Sequence, residues 1–254
     1  ASRRGHPDMT EPTSKTHATR TVIELRKKIL GGDLKGGTRL YEVPLSEELE
    51  ISRTPLRDAM SRLAEEGLLE RAKSGGFVVR QFSFVDVIDA IELRGVLEGT
   101  AARLAAERGA APEKLAHMEE IVAGLDACFG AMPGDVEFES YSELNAQFHE
   151  GLANLAGSEI VRREVERASR LPFASPSAFL PDKADIAAFR RSLNVAQDQH
   201  KAIIEAIAAR EGFRAETVAR EHARQARRNL EYILKEDRSL MEQVPALSLV
   251  VTSP

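Results

Sequence analysis

The sequence predicts a mainly α chain in two parts. A small N-terminal module of short helices ends in a β-hairpin, and a C-terminal all-α bundle of six or seven helices follows. Three observations predict it. From Ser83 onward, apolar residues recur at helical spacing between glycine and proline breaks. Before that, Leu68-Leu69-Glu70-Arg71 and Phe77-Val78-Val79-Arg80 flank Lys73-Ser74-Gly75-Gly76, the glycine-bearing composition of a hairpin turn. Finally, Trp is absent and aromatics make up 5% of the chain, so the core must be aliphatic, and the abundant Ala and Leu favour helix.

The chain has 254 residues, long enough for two domains. Its 43% hydrophobic and 30% charged content fits a globular protein. Cys128 is alone, so no internal disulfide forms. No apolar run approaches the roughly 20 residues of a membrane span, and the first residues lack an apolar signal core. The expected location is the cytoplasm, with no membrane partner.

Residues 1–19 lack periodicity and read as a disordered lead. His6 and His17 within it read as solvated. Residues 20–80 form the first predicted domain. Val22, Leu25, Ile29 and Leu30 mark a helix that Gly31-Gly32 ends. A turn follows to Gly37, and a short helix covers Leu45 to Leu49. Then comes Ser52-Arg53-Thr54-Pro55-Leu56-Arg57-Asp58-Ala59-Met60-Ser61-Arg62. Ser52 offers a hydroxyl cap, and Pro55 lies in the first turn, where a missing amide donor is tolerated. Arg53 and Arg57 are four apart and share a face. Leu56, Ala59, Met60 and Leu63 fill the opposite one. An apolar back and a guanidinium front suit a helix that enters a DNA major groove. Arg62, further along, either contacts phosphate or solvates the surface. With the hairpin as a wing, this is a winged helix-turn-helix. Alternatively, the hairpin only covers the core.

Charge divides with the domains. From Lys15 to Arg80 there are 13 basic and 10 acidic residues, and from Gln81 to Pro254 there are 20 and 28. A basic segment joined to an acidic one is expected if only the first touches phosphate.

The second predicted domain spans 83–237. Ser83-Phe84-Val85-Asp86 has capping-box spacing. Helices are expected at about 84–107, 112–129, 135–156, 159–170, 185–210 and 214–236, with a proline-bearing loop or broken helix at 171–181. Phe173 and Phe179 in that loop either cap a pocket or belong to the core. Residues 244–254 read as a frayed tail.

Asn145 and His149 lie i, i+4 on the third bundle helix, His200 on the fifth and His222 on the last. Each histidine sits beside an apolar stripe and is expected to point inward. Three imidazoles and one oxygen donor suit a divalent metal: zinc first, with nickel or manganese as alternatives. The alternative is that the histidines hydrogen-bond a ligand or water directly. The neutral Asn145 would leave the metal's charge uncompensated by protein, which favours an anionic effector. His117 has no partners in pattern and reads as surface.

Several blocks resemble a known family. Gly37-Thr38-Arg39-Leu40, Leu49 through Ile51, Ser52 through Ala59 and Glu66-Gly67-Leu68 resemble the N-terminal domain of GntR-type bacterial transcriptional regulators. The helical remainder resembles the FCD domain of the FadR branch. The resemblance implies a homodimer on a short palindromic DNA operator, and a repressor without enzymatic activity. It also places Arg39, Ser52, Arg53, Thr54, Arg57 and the wing glycines Gly75 and Gly76 at the DNA. The FCD pattern of an Asp or Asn, a His four later and two further histidines matches Asn145, His149, His200 and His222. Glu92 through Glu98 matches the family helix that carries an effector-binding arginine, so Arg94 is expected to pair with a small carboxylate. The alternative for Arg94 is a structural pair with Glu98 alone. Asp89 through Gly99, Tyr141 through His149 and Pro172-Phe173-Ala174 are similar to vanillate-responsive repressors, which implies an aromatic or other small carboxylate as effector.

Two other functions fit parts of the sequence. Three histidines with an open position also serve metal-dependent hydrolases. A helical interaction module with a nonspecific nucleic-acid-binding segment is the other.

Overall fold

The computed structural model describes residues 14–131, 135–171, 173–175, 187–235, 247 and 249–251, with side chains described from 19 in the first helix and from 191 in the eighth. The chain separates into two compact units between Arg80 and Gln81.

The first unit runs α1 (Ser14–Leu30), β1 (Arg39–Leu40), α2 (Glu42–Glu48), α3 (Arg53–Glu65), β2 (Leu69–Arg71) and β3 (Phe77–Val79). Val22, Leu25 and Ile29 of α1 and Leu56, Ala59, Met60 and Leu63 of α3 are buried where the two helices pack together. Fully burying a side chain the size of Leu or Met contributes roughly 1.5–3 kcal/mol. The same stripe therefore fixes which face of α3 remains outward. α1 begins at Ser14, inside the stretch predicted to be disordered. A helix nucleated by its packed turns extends cheaply into residues without apolar periodicity. Residues 1–13 lie outside the described residues.

The hairpin is present, and it gains a strand. β3 pairs antiparallel with β2 on one side and with β1 on the other, giving the order β1-β3-β2. At its tip Gly75 and Gly76 have φ of +87° and +78°, and a Cβ on Gly76 would meet the Leu40 carbonyl oxygen at 2.9 Å. Only glycine occupies such a position without strain. Ser52 stands at the N-cap of α3, but its hydroxyl makes no capping bond. The turn before it is instead tied by Ser46, whose hydroxyl donates to the Ile51 carbonyl at 2.6 Å.

The second unit runs β4 (Phe82–Ser83), α4 (Phe84–Arg108), α5 (Pro112–Ala127), α6 (Phe138–Leu155), α7 (Glu159–Ser169), α8 (Ala187–Ala208), α9 (Gly212–Lys235) and β5 (Val250–Val251). Six bundle helices are thus present among the described residues. The capping box forms as expected: the Asp86 amide donates to the Ser83 hydroxyl, and the Ser83 amide donates to the Asp86 carboxylate. α4 is central, packing on α6, α7, α8 and α9. Gly95 and Gly99 let α9 approach, because a Cβ at Gly95 would lie 2.9 Å from the Ala223 Cβ and one at Gly99 2.8 Å from the Arg220 Cγ. Gly212, expected to separate the last two helices, instead begins α9.

Within the tail expected to be frayed, Val250–Val251 instead form β5, which pairs in parallel with β4, Phe82 opposite Val250; 244–246, 248 and 252–254 lie outside the described residues. Leu247, Leu249 and Val250 are buried. The apolar residues of the tail needed a strand edge that the chain supplies about 170 residues earlier. Phe173 is fully buried, edge-on to Phe82 at 4.5 Å, so it belongs to the core. Pro172, Phe179 and the rest of 176–186 lie outside the described residues. None of the described helices is long and apolar enough to cross a membrane.

Candidate metal centre and nucleic-acid interface

α3 presents Ser52, Arg53, Thr54 and Arg57 to solvent, opposite its buried stripe. The guanidinium of Arg57 donates through Nε and Nη2 to both oxygens of Glu42 on α2, at 2.7 and 2.6 Å, and Arg53 lies 3.7 Å from the same carboxylate. Glu42 is held below the ordinary carboxylate range, chiefly by the Arg57 hydrogen bonds against a small burial penalty. This fork fixes where the Arg57 guanidinium points. Sequence reasoning missed Glu42, because it stands fifteen residues before Arg57 on a different helix. Arg39 closes the wing: its Nη2 donates to the Ser74 hydroxyl and, at 2.9 Å, to the Gly75 carbonyl, and its guanidinium lies 5.1 Å from the Tyr41 ring centroid. Arg39 therefore joins the first strand to the glycine tip.

In the second unit, α6, α8 and α9 bring His149, His200 and His222 together. All three are buried, and one ring nitrogen from each lies within 4.8 Å of the others. The Nε2 of His222 is 3.2 Å from that of His149 and 3.1 Å from that of His200. Each Nδ1 faces an acceptor. His149 Nδ1 donates to Glu98 Oε1 at 2.9 Å, His200 Nδ1 to Gln197 Oε1 at 3.1 Å and His222 Nδ1 to Gln199 Oε1 at 3.3 Å. These bonds assign the Nδ1–H tautomer and aim three Nε2 lone pairs at one another. Burial, then the neighbouring imidazoles, hold His200 well below the usual histidine range. Burial, again the largest cause, brings His222 to about 3. In these tautomers the converging Nε2 lone pairs cannot satisfy one another, whereas a shared divalent cation satisfies all three. The donor set therefore fits a metal.

Behind the trio stands Glu98, 1% exposed. Burial alone would raise its carboxyl, but attraction to the His149 imidazole and the Arg94 guanidinium, with the His149 hydrogen bond, outweighs this and holds it at about 2. Arg94 Nε lies 3.8 Å from Glu98 Oε2, and Arg94 Nη1 donates to the Ala174 carbonyl at 2.9 Å. Arg94 is thus more than a partner of Glu98. Asn145 is buried one turn before His149 and lines a cavity shared with Arg94 and His222. Sequence reasoning placed Glu98 only beside Arg94 and missed its bond to His149. It also missed Gln197 and Gln199, although Gln197 sits three residues before His200 on the same helix. A further link holds that glutamine: its Nε2 donates to the Val122 carbonyl at 3.0 Å and to Asp126 at 3.1 Å. His117 is exposed, as expected.

A groove-sized helix with an outward arginine face, a wing, and a separate helical bundle are the parts of a DNA-binding transcriptional regulator. The comparisons give the family. Residues 18–79 match the model described as bacterial regulatory proteins, gntR family, and residues 89–225 match the FCD domain. The chain belongs to this family, whose members are transcriptional regulators and not enzymes. It is 34% identical to the Nta operon transcriptional regulator of Aminobacter aminovorans over 54% of this chain and 63% of that protein, less than two thirds of the relative's length. It is 27% identical to the uncharacterized HTH-type transcriptional regulator YdhC of Bacillus subtilis over 87% of this chain and 82% of that one. Among solved structures, E. coli McbR/YncC shares the fold with a TM-score of 0.61 at 20% identity, covering 87% of this chain and 98% of that one.

Proposed function

We propose that the chain is a homodimeric repressor of the FadR branch, acting in the cytoplasm, whose bundle holds a divalent metal and senses a small carboxylate. The observation that carries this reading is the convergence of three Nε2 atoms whose Nδ1 partners are all acceptors. His149, His200 and His222 would hold the metal, with Asn145 as the candidate oxygen donor. The metal would supply Lewis acidity toward an anionic effector, zinc being the leading identity. Arg94 gives a second positive group to pair with the carboxylate.

On the DNA side, Arg53, Thr54 and Arg57, with Ser52 at the helix start, would meet the major groove of a palindromic operator. Arg39, Gly75 and Gly76 would bring the wing to the backbone or the neighbouring minor groove. Effector binding controls this only if the effector favours one dimer geometry over another. An aromatic acid such as vanillate is the finer assignment for the effector. The test begins with elemental analysis of the purified protein and selection of an operator from random duplex DNA. Release of that operator by a carboxylate, abolished by a chelator, supports the reading. A metal-free protein that still responds to the same carboxylate refutes it.

A further inference from the structure

The three imidazoles of the centre are not held alike. A carbonyl or a carboxylate can only accept a hydrogen bond, so it dictates where its partner carries a proton. The Glu98 carboxylate dictates in this way that His149 is protonated on Nδ1. His200 faces an amide, which by itself could offer either its oxygen or its NH2 group. The amide of Gln197 has no such choice. Its Nε2 reaches the Val122 carbonyl at 3.0 Å and the Asp126 carboxylate at 3.1 Å, two groups on α5 that only accept. The NH2 group must therefore point to α5, which leaves Oε1 for His200 Nδ1 at 3.1 Å. Lys201 in turn holds Asp126 at 2.7 Å. The His200 ring is fully buried and packs on Phe148 with the centroids 4.2 Å apart, which leaves it little room to turn.

His222 is different. Its Nδ1 partner, Gln199 Oε1, is the most distant of the three at 3.3 Å, and among the described residues no second hydrogen bond fixes that amide. On the other side of the ring, His222 Nε2 lies within hydrogen-bond distance of both His149 Nε2 and His200 Nε2. Those two nitrogens are bare acceptors, because their rings carry the proton on Nδ1. In a metal-free centre they lack a donor, and a proton on His222 Nε2 supplies one.

We propose that the centre consists of two fixed ligands and one adjustable ligand. Gln197, clamped from α5, is the positioning residue that keeps His200 Nε2 bare, and His222 is the ring that changes tautomer. In the metal-free protein His222 carries its proton on Nε2 and donates to the other two rings, which keeps the three together. In the loaded protein its Nε2 is bare and Nδ1 donates to Gln199. The change releases one proton to solvent from Nε2 and takes one from solvent at Nδ1, so the ring stays neutral. The Nδ1–H assignment given above for His222 is that of the loaded centre. This deepens the metal reading and rests on it.

The test is two-bond 15N–1H correlation of the imidazoles in the 15N-labelled full chain, first metal-free and then titrated with zinc. In the metal-free protein His149 and His200 are expected as Nδ1–H and His222 as Nε2–H; with zinc all three are expected as Nδ1–H. Gln197→Met is expected to move metal-free His200 off the Nδ1–H form and to weaken zinc about 10–100-fold, as for other groups behind a ligating histidine. Gln197→Glu still offers an acceptor and is expected to restore Nδ1–H at His200, which a role in packing alone would not require. Nδ1–H at His222 in the metal-free protein overturns the adjustable ligand. His200 still Nδ1–H in Gln197→Met, zinc affinity within twofold in that variant, or loss of Nδ1–H in Gln197→Glu overturns the role of Gln197. Failure of the unmodified protein to bind zinc counts against the metal reading, while the metal-free tautomers still decide the roles of Gln197 and His222, which keeps the two failures distinct.

Discussion

Glu98→Gln tests the metal centre through a residue that is not a ligand. Glu98 Oε1 accepts from His149 Nδ1 at 2.9 Å, and Oε2 faces Arg94 at 3.8 Å, both within the buried bundle. The folded carboxyl titrates at about 2 against an ordinary value of 4.5. That difference, at 1.36 kcal/mol for each unit, corresponds to about 3 kcal/mol of preference for the charged form. Breaking a buried ion pair on one side costs a comparable ~3–5 kcal/mol. The amide keeps the shape and removes the charge, so the second unit should lose about 3 kcal/mol of stability near neutral pH. Zinc affinity should fall about 10–100-fold, the usual effect of losing a carboxylate behind a ligating histidine. The sign with pH follows from the depressed value. The Glu98 contribution is complete above about pH 4.5 and is lost as pH falls through about 2. The unmodified protein should therefore lose this contribution on acidification, whereas the variant should have none to lose. Competition titration against a zinc-binding dye measures the affinity, and chemical unfolding at neutral and acid pH measures the stability. Zinc affinity within twofold of the unmodified protein, with unchanged unfolding, would refute the reasoning.

Four further outcomes follow from the geometry. His200→Ala should lower bound metal and effector response together, and full metal content by elemental analysis would contradict the trio. Arg57→Ala should lose specific operator binding in a gel-shift titration, by about 1–3 kcal/mol if it reads a base edge, while effector binding stays intact. Glu42→Gln should free the guanidiniums of Arg53 and Arg57 from their carboxylate. Anisotropy titrations with random duplex DNA should then show tighter binding and a narrower margin for the operator; an unchanged margin would show that Glu42 plays no part in aiming Arg57. Gly76→Val should destabilise the first unit, by about 1–3 kcal/mol for backbone strain, because its φ is +78° and a Cβ meets the Leu40 carbonyl. Calorimetry on this variant should show the transition of the first unit moving to lower temperature.

How much was legible depended on the range of the interaction. Helical periodicity and glycine breaks are local, so the bundle helices were readable to within a few residues, and the capping box at Ser83 was readable outright. The i, i+4 spacing by itself puts Asn145 and His149 on one face. Non-local partners were invisible. β1 joining β3, β5 joining β4, Glu42 reaching Arg57 and Glu98 reaching His149 each link residues at least 15 positions apart. The Ser52 hydroxyl shows the converse, a local signal without its bond, because helix α3 is held by its apolar back and does not depend on a capping side chain.

The sequence by itself determined the element types, the outward arginines of α3, the inward histidines of three bundle helices and the family. These follow from residue spacing along a helix, which any stretch of chain carries within itself. Tertiary packing alone decided that the three Nε2 atoms converge and that each Nδ1 finds an acceptor. Those facts depend on how far α4, α6, α8 and α9 approach one another. That approach is set by Gly95 and Gly99 against α9 and by the whole buried core, which no single segment encodes.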